Sequence, residues 1–165
     1  MRRLILMRHA KSDWNHPGLG DHERPLNRRG TAAAKALGDW LRDNGYIPEE
    51  VLCSSAERTG QTLLGLALDG GTPVKFSRAL YLAEAGDMLN VLRQATGNVV
   101  LMIGHNPGIC EMAHRLVGDP PEHIRFEDYP TGATLVVDFD TDWPDVTTGD
   151  VTAFVIPREL KDGSA

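Results

Sequence analysis

Two runs of apolar residues, far apart in the chain, each stop at a histidine. Leu4-Ile5-Leu6-Met7 leads into Arg8-His9, and Val99-Val100-Leu101-Met102-Ile103 leads into Gly104-His105-Asn106-Pro107-Gly108. A run that is apolar at every position, without polar alternation, is the pattern of a strand covered on both faces. Such strands lie inside an open α/β sheet, where ligands gather beyond the carboxyl ends of the strands. Both histidines are therefore expected at one sheet edge.

The segments between the runs complete the pattern. Val51-Leu52-Cys53 reads as a third strand and Val74-Lys75-Phe76 as a weaker one. Helical periodicity covers residues 30–43, with Ala33, Ala36, Leu37, Trp40 and Leu41 on one face and Asn44-Gly45 as a stop. A second helix is expected over 55–68 behind Ser54-Ser55-Ala56-Glu57, which has capping-box spacing. A third covers 86–95. A fourth begins at Pro107 with Asn106 as its cap. Thr134–Phe139 and Val151–Ile156 read as strands that either pair directly or take separate places in the sheet. Alternating strands and helices predict an α/β fold, a three-layer α/β/α sandwich with a mainly parallel central sheet flanked by helices.

At 165 residues and 41% hydrophobic, the chain has material for a single domain, 1–165, with a real core. No apolar run approaches the roughly 20 residues that cross a membrane. Leu4–Met7 is too short for the apolar part of a secretory signal, so cytoplasmic residence is the expectation. Cys53 and Cys110 are far apart and flanked by apolar residues, which suggests buried free thiols. A net charge of −6 argues against general nucleic-acid binding. Basic residues nevertheless crowd the first thirty positions, whereas aspartates gather over 138–150. A locally basic cleft on an acidic protein suits an anion.

The expected edge holds Arg8, His9 and His105, and the helix behind Ser55 aims Arg58 into the same space. Imidazole can attack phosphorus and guanidinium can hold phosphoryl oxygens. Taken singly, each residue has a duller explanation. A histidine after a strand is more often a hydrogen-bonded surface group, and a helix arginine is usually solvated. Convergence of all four from independent segments is what points to phosphoryl transfer.

Leu6-Met7-Arg8-His9-Ala10-Lys11-Ser12 resembles the Arg-His-Gly motif of the histidine phosphatase superfamily, which includes phosphoglycerate mutases. Ala10 in place of glycine, followed by Lys-Ser, resembles its small phosphohistidine phosphatase (SixA-like) branch. Further similar blocks are Arg24-Pro25-Leu26 with Gly30, Ser54 to Thr59 with Gln61-Thr62, Gly104 to Gly108, and Pro130-Thr131-Gly132-Ala133. The resemblance runs from the first strand to about residue 157. It implies a phosphoglycerate mutase-like fold and a metal-independent phosphatase that needs no cofactor. His9 would be the nucleophile, forming a transient phosphohistidine that water hydrolyses to inorganic phosphate. Arg8, Arg58 and His105 would hold the phosphoryl oxygens.

Other assignments stay open. Glu84 is the candidate proton donor and Asp87 the second, against simple solvation or capping. Ser12 and Asn15 are candidate phosphate contacts, with turn roles as the alternative. His16, His22, His114 and His123 lack metal-binding spacing, so no metal site is expected. Trp14 and Trp143 are read as loop or core packing rather than partner anchors. Gly60 stands where many relatives carry arginine, and the short stretch from Ser77 to Asn98 leaves no room for a large cap. The expected partner is a phosphorylated protein bearing phosphohistidine. The alternatives are a small phosphorylated metabolite (a sugar phosphate or nucleotide), a phosphate-recognition module without turnover, and, further off, a mutase.

Overall fold

A computed structural model describes residues 1–160. Its strands and helices alternate as β1 (Arg2–Arg8), α1 (Arg28–Asp43), β2 (Glu50–Ser54), α2 (Glu57–Leu66), β3 (Val74–Ser77), α3 (Ala85–Leu92), β4 (Val99–Gly104), α4 (Gly108–Leu116), β5 (Thr134–Phe139) and β6 (Asp150–Val155). The six strands form one sheet in the order β3-β2-β4-β1-β5-β6. β3, β2, β4 and β1 run parallel, and β5 and β6 close the far side antiparallel. The last two strands thus pair directly, with a register shift between Val136 and Val137.

The two apolar runs are the central strands. Leu4 to Met7 and Val100 to Ile103 are fully buried. Alternate residues serve opposite layers, because successive side chains on a strand point to opposite faces. Leu4 and Leu6 pack with Met88, Leu92, Ile109 and Met112 of α3 and α4. Ile5 and Met7 pack with Leu37, Leu41 and Leu66 of α1 and α2. The sandwich therefore has helices on both faces of a mainly parallel sheet. Register then sets the functional edge. Arg8 lies opposite Gly104, and the His9 amide donates to the Gly104 carbonyl at 3.1 Å.

Several local expectations are corrected. Ser54 to Glu57 form no capping box: Ala56 occupies the N-cap of α2, and Ser54 is drawn instead to His105. Asn106 does not cap α4. Pro107 holds that position, and the Asn106 side-chain Nδ2 donates to the carbonyls of Asp128 and Tyr129 at 2.9 and 3.0 Å. Helix α1 starts two residues before the expected point, because Asn27 accepts from the Gly30 amide at 2.8 Å. Helix α3 stops at Leu92 instead of running to 95. Trp143 is buried and donates to the Gly97 carbonyl at 2.6 Å, whereas Trp14 is exposed with the Arg24 guanidinium 3.6 Å above its ring. Both cysteines are free, but only Cys53 is buried; Cys110 is half-buried and donates to the Glu127 carbonyl. No helix among the described residues is long and apolar enough to cross a membrane.

Candidate active site

The carboxyl ends of β1 and β4 deliver their histidines side by side, with ring centroids 5.3 Å apart. His9 is almost wholly buried, and its Nδ1 donates to the Ala10 carbonyl at 2.6 Å. A carbonyl can only accept, so this contact assigns the ring hydrogen to Nδ1 and leaves the lone pair on Nε2. Burial, reinforced by the charges of Arg8 and Arg58, pushes His9 from 6.5 down to about 3. The ring is neutral at ordinary pH.

His105 is held from behind. Its Nε2 lies 2.7 Å from Ser54 Oγ, which also accepts from the Ala56 amide at 3.3 Å. With the amide on one lone pair, the serine hydroxyl is available to donate to Nε2. When the hydroxyl donates, the hydrogen of His105 sits on Nδ1; that nitrogen is buried and has no partner among the described residues. Burial, followed by the charge of Arg58, pushes His105 down to about 3 as well.

The arginines arrive from three segments. Arg8 ends β1 and donates from Nη1 to the Tyr129 carbonyl at 3.2 Å. Arg58 lies in the first turn of α2, buried, and donates to the backbone carbonyl of Asp21 at 2.7 Å and to its carboxylate at 3.0 Å. Arg24 donates to the other oxygen of the same carboxylate at 3.1 Å and to Ser12 Oγ. The Tyr81 hydroxyl completes the cluster on Asp21. These contacts, that of Tyr81 foremost, hold the Asp21 carboxyl well below the usual carboxylate range.

Arg8, His9, Arg58, Ser12 and Asp21 line one open cavity of about 460 Å³. Of the residues expected at the site, Arg8, His9, Ser12 and Arg58 line it, and His105 stands against His9. Asn15 does not line it; its side chain is exposed and its amide donates to Asp13. Glu84 is exposed at the N-cap of α3, and Asp87 is exposed in the first turn; neither lines the cavity. Glu84 is nevertheless near the edge, since a Cβ added to Gly108 would lie 3.4 Å from its Cα. Among the described residues no three His, Cys, Asp or Glu side chains cluster to hold a metal ion.

Sequence reasoning missed Asp21 and Tyr81, which organise Arg58, and left His22 between a loop bordering the pocket and a surface position. His22 bonds Ser55 Oγ at 2.8 Å and packs edge-on against Tyr81. All three sit in irregular segments with no periodicity to follow. The one available signal was Asp21 standing three residues before Arg24.

This arrangement offers a neutral imidazole with a free lone pair, flanked by guanidinium groups and by a second imidazole. It can bind a tetrahedral oxyanion and attack it. Comparison with known proteins identifies the family. Residues 4–91 match the family model of the histidine phosphatase superfamily (branch 1). An uncharacterized protein of Mycobacterium tuberculosis is 35% identical over 92% of this chain and 100% of its own length. A protein from Nakamurella multipartitia, named a putative phosphohistidine phosphatase SixA, superposes with a TM-score of 0.82 at 28% identity, covering 94% of this chain and 96% of that one. A second protein of the same name, from Agrobacterium tumefaciens, superposes at 0.77 with 27% identity, over 94% and 98%.

Proposed function

Because the chain belongs to the histidine phosphatase superfamily, we propose that it is a phosphatase whose nucleophile is His9 and whose substrate is phosphohistidine on a protein. The observation that carries this reading is the Nδ1–H···O=C contact from His9 to Ala10, which leaves Nε2 as the nucleophilic nitrogen of a neutral ring.

In the first step the Nε2 lone pair forms a bond to phosphorus as the bond to the leaving group breaks. The leaving atom keeps the bonding electrons and takes a proton. Charge spread over the three equatorial oxygens is met by Arg8, Arg58 and the Nδ1–H of His105. Positioning and electrostatic stabilisation are the main work in such a reaction. Water then attacks the phosphohistidine, releasing inorganic phosphate and returning Nε2 its lone pair. Ser12, held by Arg24 in the cavity wall, would support the phosphate there.

Substrate class follows from the leaving group. An alkoxide needs a strong proton donor, and Glu84 is the candidate even though it stands outside the cavity lining. A phosphoramidate nitrogen is protonated more readily, so phosphohistidine places a weaker demand on the enzyme. The open cavity also admits a side chain displayed on a protein surface.

The test is to quench turnover in alkaline denaturant and map the phosphoryl label by peptide. Label on the peptide containing His9, lost in His9→Ala, is expected, with faster labelling from a phosphohistidine protein than from a panel of metabolite phosphates. Hydrolysis that persists in His9→Ala would overturn the nucleophile. Faster labelling from a metabolite would overturn the substrate.

A further inference from the structure

Beside the phosphoryl cavity lies a second depression, and its cations come from four separate segments. Lys11 follows the end of β1. The start of α1 is drawn against it: the Asn27 amide donates to the Lys11 carbonyl at 3.0 Å, and a Cβ added to Gly30 would sit 2.0 Å from that oxygen. Only glycine permits so close an approach, and the approach seats Arg29 next to Lys11.

The opposite wall is tied to the same strand end. The Gly132 amide donates to the His9 carbonyl at 2.9 Å, and a Cβ on Gly132 would lie 2.5 Å from Pro157 Cγ. This packing brings in the 3-10 turn Pro157–Glu159 with Arg158. Arg125 enters on the turn Ile124–Phe126, with its guanidinium forked onto Asp128 at 3.1 and 3.0 Å.

Lys11, Arg29, Arg125 and Arg158 line a depression of about 170 Å³ that has no carboxylate in its wall. Lys11, Arg29 and Arg158 form no ion pair among the described residues. Lys11 and Thr131 line the phosphoryl cavity as well, so the two spaces adjoin. Seven cationic side chains line the pair of spaces against one lining carboxylate, Asp21, in a chain of net charge −6. Like charges gathered this way repel, and an oxyanion relieves the repulsion. A space this small holds one such group, not a second whole ligand.

We infer that this depression is a second anion subsite, taking a carboxylate or phosphate carried by the same substrate whose phosphoryl group enters the adjoining cavity. The inference rests on the phosphatase reading only for which of the two anions is removed. The subsite selects substrates in which a second negative group accompanies the scissile one. That group is either a further phosphate on a small molecule or an acidic side chain beside a phosphorylated residue.

The experiment uses Arg29→Ala and Arg158→Ala, singly and together, since neither residue lines the phosphoryl cavity. Binding is measured by titration calorimetry with alkanediol bisphosphates of increasing length and with matched alkyl monophosphates. A second arm uses peptides bearing a stable phosphohistidine analogue flanked by glutamate or glutamine. Wild type is expected to favour one doubly charged series by about tenfold or more. The double variant is expected to lose that preference while monophosphate binding holds.

A preference confined to the bisphosphates assigns the second anion to a small molecule, and one confined to glutamate peptides assigns it to a protein. No preference in either arm, or a preference that survives the double variant, would overturn the subsite. Hydrolysis assayed on the same compounds separates the two readings. Discrimination without turnover removes the phosphatase and keeps the subsite, and turnover without discrimination does the reverse.

Discussion

Acid should destabilise this protein well above the pH at which its carboxylates titrate, because its site is built on two buried neutral imidazoles. His9 and His105 are both pushed from 6.5 down to about 3, burial being the main cause for each. An unfolded chain takes up these protons near 6.5, and the folded chain resists until about 3. Between those values the unfolded state binds more protons, so stability is greatest above 6.5 and falls as the pH falls through the window. At about pH 5 each histidine is roughly 1.5 units below its unfolded value, worth about 2 kcal/mol, and the pair costs about 4 kcal/mol. That is a large share of the 5 to 15 kcal/mol typical of a folded domain. Asp21, Asp128 and Asp138 are also held low, and they too lose stability on acidification. Their window opens only below the ordinary 3.8, so they contribute little at pH 5. Urea unfolding followed by tryptophan fluorescence, with Trp143 buried as the reporter, gives stability at about pH 7.5 and 5 in phosphate-free buffer. His9→Gln and His105→Gln should each lose about 2 kcal/mol less than wild type across that interval. Comparing slopes within each variant cancels packing damage common to both pH values. Identical slopes in wild type and variants would refute the burial argument.

Other consequences are as direct. Asp21→Asn removes the charged half of the Arg58 anchor, leaving the backbone carbonyl, and takes a negative charge from an anion cavity, so kcat should fall about tenfold while KM for p-nitrophenyl phosphate falls or holds; a rise in KM with kcat unchanged would contradict the positioning role. Glu84→Gln should slow hydrolysis of an alkyl phosphomonoester about tenfold or more and leave a phosphoramidate nearly unaffected, since only the alkoxide demands a strong proton donor. Equal rates for wild type and variant on both compounds would remove Glu84 from the mechanism. Gly108→Ala would place a Cβ 1.8 Å from the Ala83 carbonyl, a rigid backbone atom, and should cost several kcal/mol in denaturant unfolding. Gly18→Ala, with nothing within 4 Å, should change stability by less than about 0.5 kcal/mol.

What could be read from the sequence was whatever leaves a periodic or contiguous trace. Leu4–Met7 and Val99–Ile103 announce central strands because both faces of each are covered, and the histidines that follow inherit their place from the strands. Register then needs only one pairing, Arg8 opposite Gly104, to bring the two rings together. Arg58 was legible for the same reason, since the first turn of a helix behind a central strand points at the sheet edge. Local polar chemistry was harder. Ser54 has two uses available, a turn contact and a bond to an imidazole in another segment. Its spacing to Glu57 suggested a capping box, but burial of His105 Nε2 makes the long-range bond the one that forms. Asn106 was misread in the same way: two carbonyls in the loop before β5 outcompete a helix cap.

The residues left out of the sequence reading share one physical property, which is that most of their partners lie in distant segments. Asp21 accepts from Arg24, Arg58 and Tyr81, and no window of sequence contains all four. Its presence also changes what the cavity is. An anion site made of bare cations would bind any phosphate strongly and release the product slowly. A carboxylate fixed between Arg58 and Arg24 weakens that attraction while holding Arg58 in one orientation. Affinity for the substrate as a whole then has to come from elsewhere on it, because the phosphoryl group alone no longer supplies it. The neighbouring basic depression, reached through Lys11, lies where such binding energy could be gained. Binding energy drawn from a remote group can be used to orient the reacting one, which makes a second anion more useful to a catalyst of this kind than a tighter grip on the first.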